Sequence, residues 1–168
     1  MDPEKKKTIF TICCIAVIIV AAVLLVFGGR QSEPPMLKIS NGTDSEIEAQ
    51  RGTYSWKTGG LFGESQVTAD SPGPLHLYKI HGLAQIKPSE NDDCSLTLKF
   101  DKDPESVSIE IYSESAADAQ DYGKMIPREV TAGPSGYKFT FPQDGIYIVD
   151  VCATWTNGCC HYYFYTTN

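Results

Sequence analysis

The chain has 168 residues, enough for one well-packed core beyond any targeting segment, and carries a formal charge of −7 at pH 7. The acidity lies after Arg30, where residues 31–168 hold 10 Lys and Arg against 19 Asp and Glu, a balance of −9. Nucleic acid, anionic lipid headgroups and polyanionic wall polymers are repelled by such a surface, which argues against them as electrostatic partners and leaves a cationic or peptide partner open.

The first predicted element runs from Thr8 to Phe27 (TIFTICCIAVIIVAAVLLVF), with no charge, proline or glycine, and Lys5, Lys6 and Lys7 stand directly in front of it. At the rise of an α-helix such a segment is about 30 Å long, enough to cross a bilayer core, and the lysines place residues 1–7 on the cytoplasmic side. A cleaved secretory signal usually has an apolar run of only about 7–15 residues and a small-x-small cleavage site. This run is longer and ends in Val26, Phe27, Gly28, Gly29 and Arg30, while a lipoprotein signal would need its cysteine at the end, not at Cys13 and Cys14. The expectation is an uncleaved signal-anchor in the cell membrane, single-pass, with an extracellular C-terminal domain. Gly28 to Pro35 (GGRQSEPP) reads as a short stalk, so that residues 36–168 form the domain close to the membrane surface.

Past the stalk the hydrophobic period is two. Leu96, Leu98 and Phe100 alternate with polar neighbours, as do Val107, Ile109 and Ile111, and then Tyr137, Phe139 and Phe141. In the last pair of strands Tyr147, Val149, Val151, Ala153 and Trp155 share one face, and Cys160, Tyr162 and Phe164 another. These predict inward faces of half-buried strands. Ser113 to Tyr122 has helix-like composition without an apolar stripe and is expected to be a loop or a single turn. Asn157-Gly158 is the strongest hairpin signal; as a type I′ turn it sets Trp155 opposite Cys160 and Cys152 opposite Tyr163. Further reversals are marked at Ser71-Pro-Gly-Pro74, Lys102-Asp-Pro104, Gly133-Pro-Ser-Gly136 and Pro142-Gln-Asp-Gly145. Many short strands without intervening helices predict an all-β fold, an immunoglobulin/fibronectin-III-like β-sandwich preceded by one N-terminal transmembrane helix.

The segments Gly52-Thr-Tyr-Ser-Trp56, Ala69-Asp-Ser71 followed by Pro74-Leu75, Leu96-Thr-Leu-Lys-Phe100 with Pro104 and Val107, and Gly145-Ile-Tyr-Ile-Val-Asp-Val with Trp155 and Tyr162-Tyr-Phe are similar to those of a set of surface proteins of Gram-positive bacteria. Those proteins are uncharacterised, membrane-anchored or lipid-anchored, with one immunoglobulin-like domain. The same segments resemble the extracellular C-terminal parts of membrane metallopeptidase receptors of the β-lactam-sensing type. The resemblance covers roughly residues 36 to 166 and implies fold and location. The peptidase helix motif HExxH of those receptors is absent here.

Candidate chemistry is sparse. Outside the anchor stand Cys94, Cys152, Cys159 and Cys160, which allow three complete pairings. In the expected hairpin register Cys152 lies four pairs from Cys159 and on the opposite face from Cys160, so no disulfide closes inside the hairpin, and Cys94 reaches a partner only across the sandwich. Cys152, Cys159, Cys160 and His161 carry the thiolate and imidazole chemistry that suits zinc, but adjacent cysteines on a strand point to opposite faces, so no metal and no other cofactor is expected. Ser135-Gly-Tyr-Lys138 matches a Ser-x-x-Lys pattern that needs a helical turn, where a Gly-Pro turn enters a strand. Asp92-Asp93 and Asp101-x-Asp103 lack the spacing of a dedicated calcium loop. His76, His81 and His161 are too scattered for a catalytic set, and Asn41-Gly-Thr43 is a glycosylation sequon only in a eukaryotic host.

The outward face of the last hairpin stands out. Ile148, Cys152, His161, Tyr163 and Tyr165 are an unusual load for solvent, so either a partner or another segment covers them. Ile148, His161, Tyr163 and Tyr165 are the candidate partner-binding residues. Coverage by the chain's own Leu37 to Ser40 strand or by the Gly59-to-Ala69 region is the competing reading. The expected function is a cell-surface recognition or accessory module that binds a membrane protein or wall-derived material and does not catalyse. The alternatives are a structural envelope protein or a surface enzyme in which Asp70, His76 or His81 converge in a pocket.

Overall fold

The structure is a computed structural model and describes residues 12–20, 32–43, 45–60, 63–88, 94–142 and 145–167. Within the expected anchor, residues 12–20 form a helix (α1) exposed at every position, and the remainder of Thr8 to Phe27 lies outside the described residues. Among the described residues no helix is long and apolar enough to cross a membrane.

From Leu37 onward the chain builds two sheets facing each other. The smaller is antiparallel in the order β2 (Glu46–Glu48), β1 (Leu37–Ser40), β6 (Ser95–Phe100), β10 (Gly136–Thr140) and β9 (Thr131–Gly133). The larger runs β4 (Gly63–Ala69), β3 (Gln50–Gly60), β12 (Gly158–Thr166), β11 (Tyr147–Trp155), β7 (Ser106–Ser113) and β8 (Ile126–Arg128). β5 (Gln85–Ile86) joins β12 in parallel at Tyr165 and Thr166, beyond the point where β3 leaves it. An all-β sandwich follows directly from the period-two pattern, because each long strand has one apolar face to hide.

The core lies between the sheets. Leu37, Ile39, Leu96, Leu98 and Phe139 from the smaller sheet meet Ile109, Ile111, Val149, Val151, Ala153, Tyr162 and Phe164 from the larger, all buried as the alternation predicts. Full burial of each large aliphatic or aromatic chain here contributes about 1.5–3 kcal/mol. One end of the core is aromatic: Phe100 packs edge-on against Trp155, Tyr137 and Tyr162 at 5.6, 5.8 and 5.8 Å, and Trp155 against Trp56 at 5.6 Å. Trp155 keeps its indole N–H satisfied by donating to the Lys102 carbonyl at 3.0 Å.

Four sequence expectations are corrected. Ser113 to Tyr122 is not a plain loop: Glu114–Ala119 is a helix (α3), capped where the Ala116 N–H donates to Ser113 Oγ and ended by left-handed Gln120 at φ 53°. A second helix, α2 (Pro74–Lys79), grows out of the Ser71-Pro-Gly-Pro74 reversal, with Pro74 fixing the first helical φ. The last hairpin turns at Thr156-Asn157, not at Asn157-Gly158, so that Trp155 pairs with Gly158, Cys152 with His161 and Asp150 with Tyr163. The neighbouring strand imposes this register: Gly158, at φ 150°, pairs with Trp56 so closely that a Cβ would stand 1.9 Å from the Ser55 carbonyl oxygen. Finally, the end of the expected stalk packs on the domain, with Pro34 and Pro35 buried and Glu33 in an ion pair of 2.8 Å with Arg51.

Candidate functional site

Alternation along β11 and β12 sets Ile148, Asp150, Cys152 and Thr154 beside Tyr165, Tyr163, His161 and Cys159 on the outer face of the larger sheet. One end of this face is roofed by α2 and α3. Leu75, Leu83, Tyr112, Ala116 and Ala117 close over Ile148 and Tyr163 to form a second small core. Helices of six residues are too short to persist alone, so they are held by this burial and by ties between them. Tyr78 donates to Glu114 at 3.0 Å, and Lys79 Nζ to the Asp118 carbonyl at 2.8 Å.

The four candidate residues therefore part company. Ile148 is 0% and Tyr163 4% exposed beneath the helices. Tyr165 is half-covered, its ring edge-on to Tyr78 at 5.2 Å and its hydroxyl donating to Gln85 Oε1 at 2.8 Å. Only His161 stands clear of the roof. The cover comes neither from Leu37–Ser40, which lies in the opposite sheet, nor from Gly59 to Ala69, where β4 merely widens the larger sheet beyond β3.

Where the roof ends, His161 Nδ1 lies 2.8 Å from Asp150 Oδ1, and Cys152, directly across the ladder, is the second hydrogen-bond partner of the ring. The hydrogen bond to Asp150 acts first and that to Cys152 second; together they push the imidazole from 6.5 up to about 10 against the opposing effect of burial. Around this trio stands a wall of phenols. The Tyr163 ring lies on Gly52, where a Cβ would come within 2.3 Å of it, and Thr53 hydrogen-bonds its hydroxyl. Tyr112 donates to Glu110 at 3.2 Å and meets Tyr122 edge-on at 5.8 Å. Burial, helped by Asp150, pushes the Tyr163 phenol up to about 12, and burial raises Tyr112 as well, so both stay neutral donors.

The folded state thus keeps a proton on His161 that the unfolded chain releases near pH 6.5. Its stabilisation is complete below that pH and fades as pH rises towards about 10. We expect the melting temperature to fall between pH 6.5 and 9, corresponding to about 1 kcal/mol after solvent screening of a partly exposed ring, and to be flatter in His161→Asn. Above about 9 the buried Cys160 thiol, pushed up to about 12, adds a loss of the same sign, so the lower window isolates His161. Equal slopes in the two proteins would contradict this assignment.

The remaining sequence candidates lie apart. Cys160 points into the core at 0% exposure, away from Cys152, Cys159 and His161 on the outer face. None of the six cysteines is disulfide-bonded. Among the described residues no group of three or more His, Cys, Asp and Glu is arranged to hold a metal ion. His76, His81 and Asp70 are exposed and separate from the hairpin site, and Asp101 and Asp103 are exposed in the loop after β6. Asp92-Asp93 lies outside the described residues. Ser135 and Lys138 border an open groove with Thr97 and Glu129 on the outside of the smaller sheet, with Ser135 in a turn and Lys138 on β10. Sequence reasoning found His161 and Cys152 on the outer face but passed over Asp150, which shares that face by its period-two spacing from Cys152 and meets His161 only in the observed register. Comparison with protein-family models, with curated proteins and with solved structures finds no match to this chain.

Proposed function

We propose that the chain is a single-pass membrane protein whose extracellular domain is an immunoglobulin-like recognition or accessory module, with residues Thr8 to Phe27 as anchor and the N-terminus cytoplasmic. The immunoglobulin-like reading is supported by strand order: β1-β6-β10 opposite β12-β11-β7 matches strands A, B, E opposite G, F, C of that sandwich. The segment between β1 and β6 and the stretch from α3 to β8 are then insertions, with β9 in the place of strand D, and α2 and α3 within them supply the roof over the outer face.

The observation that carries recognition is the uncovered half of the β11–β12 face. A fold that builds two helices to hide Ile148 and Tyr163 leaves Asp150, Cys152, Thr154, Cys159 and His161 unroofed beside them. Ordered polar groups on a rigid sheet form a binding surface with little entropy left to lose, and the acidic balance of the domain suits a cationic or peptide segment of a membrane protein or wall-derived partner. It binds and does not turn over a substrate.

A photoreactive residue at position 154 tests this in native membranes. The expected result is one discrete crosslinked product, absent when the probe is at Lys138 on the opposite sheet, with both proteins resisting alkaline extraction from the membrane. No product specific to position 154 would overturn recognition by this face. Release of the protein by alkali would overturn the anchor.

A further inference from the structure

Beyond recognition, the outer face carries a reactive group. We infer that Cys152, His161 and Asp150 form a thiol-exchange site that captures low-molecular-weight disulfides as a mixed disulfide on Cys152. The geometry is that of an oriented cysteine–histidine pair. Asp150, with a side chain only 12% exposed, fixes the imidazole through Nδ1 at 2.8 Å, and Cys152 pairs directly with His161 across the ladder, where opposed side chains touch. His161 is 36% exposed in its side chain, and Cys152 is half-buried, so a small molecule reaches both.

The class of substrate follows from what surrounds the sulfur. Acyl transfer needs N–H donors aimed at an oxyanion. Here β11 is paired on both sides, with Cys152 facing His161 on β12 and Ser108 on β7, so the ladders consume the nearby backbone donors. Disulfide exchange spreads its charge over sulfur atoms in line and needs only a nucleophilic thiol with access. Cys152 Sγ attacks one sulfur of R–S–S–R′, a Cys152–S–S–R bond forms, the S–S bond of the substrate breaks, and R′ leaves as its thiol. Cys152 is oxidised and R′ reduced, and the proton given up by Cys152 departs on R′–SH. The groups around His161 are Asp150 and Cys152 on β11, Cys159 and Tyr163 on β12 and Thr53 on β3, with Glu110 on β7 one strand further, opposite Asp150; of these only Cys152 is a thiol across the ladder from the ring. Cys159 lies one diagonal step away on the same face, a Cα separation of about 7–8 Å that exceeds disulfide reach. The mixed disulfide therefore accumulates and is not resolved internally.

The test incubates the full chain in detergent micelles with oxidised glutathione at pH 7 and reads glutathione on each cysteine-containing peptide by mass spectrometry. The expected result is modification of Cys152 at least about tenfold faster than of Cys159 or Cys94. In His161→Asn the Cys152 rate falls by about tenfold or more, and His161→Lys, which keeps a cation beside the sulfur, recovers part of it. Equal rates at Cys152 and Cys159 in the unaltered protein overturn the proposal without any variant. An unchanged Cys152 rate in a folded His161→Asn protein overturns it equally.

Discussion

Gly158→Ala is expected to destabilise the domain by about 2–4 kcal/mol, among the larger effects of one added methyl group. Two causes act together. At φ 150° the residue occupies backbone space that an L side chain rarely enters, and the new Cβ would stand 1.9 Å from Ser55 O and 3.1 Å from Trp56 Cα. Both obstacles are backbone of β3, so no rotamer change relieves them. Asn157→Ala is the discriminating control. Were Asn157-Gly158 the centre of a type I′ turn, both positions would need positive φ. Among the described residues positive φ outside glycine occurs at His81, Cys94 and Gln120 and not at Asn157. Denaturant melts of the full chain should therefore show a large loss for Gly158→Ala and less than about 1 kcal/mol for Asn157→Ala; comparable losses would restore the turn that the dipeptide advertises.

Trp56→Ala carries the other large expected effect, a loss of about 3–5 kcal/mol. The indole is 0% exposed and packs edge-on against Trp155, itself touching Phe100, so its removal opens a void at the aromatic end of the core. The strand it sits on also carries the pairing to both β12 and β4. Against a typical total of about 5–15 kcal/mol, such a loss leaves a substantial unfolded fraction in a marginal domain. Trp56→Phe retains most of the contact and should cost less than half as much. Equal stability of the alanine variant and the parent protein would remove Trp56 from the core.

Both results bear on what the sequence makes legible. The inner faces of β6, β7, β10, β11 and β12 were readable because one side of each strand is continuously apolar and the other is not. β3 was harder: Trp56 points inward, Gly52 lies under Tyr163, and a register shift between Cys160 and Tyr162 on β12 breaks the alternation. The helices escaped because six residues give too few turns for an apolar stripe, and the decisive residues of α3, Ala116 and Ala117, are small. At the site, His161 and Cys152 were visible as misplaced residues on an outer face. Their being opposite each other was not, since the register depends on how closely β3 approaches Gly158. Asp150 becomes informative only once that register places it diagonally beside His161.

The fastening of residues 33–37 has a mechanical side. The Tyr162 hydroxyl donates to the Pro35 carbonyl, Arg51 reaches Glu33 and the Pro34 carbonyl, and Leu37 opens the ladder of β1 with β6. Traction arriving from upstream is thus divided between the two plies of the sandwich, entering one through β12 and β3 and the other through β1. With its first residues clamped to both plies, the module resists peeling from that end and transmits a pull on its outer face to whatever lies before Glu33.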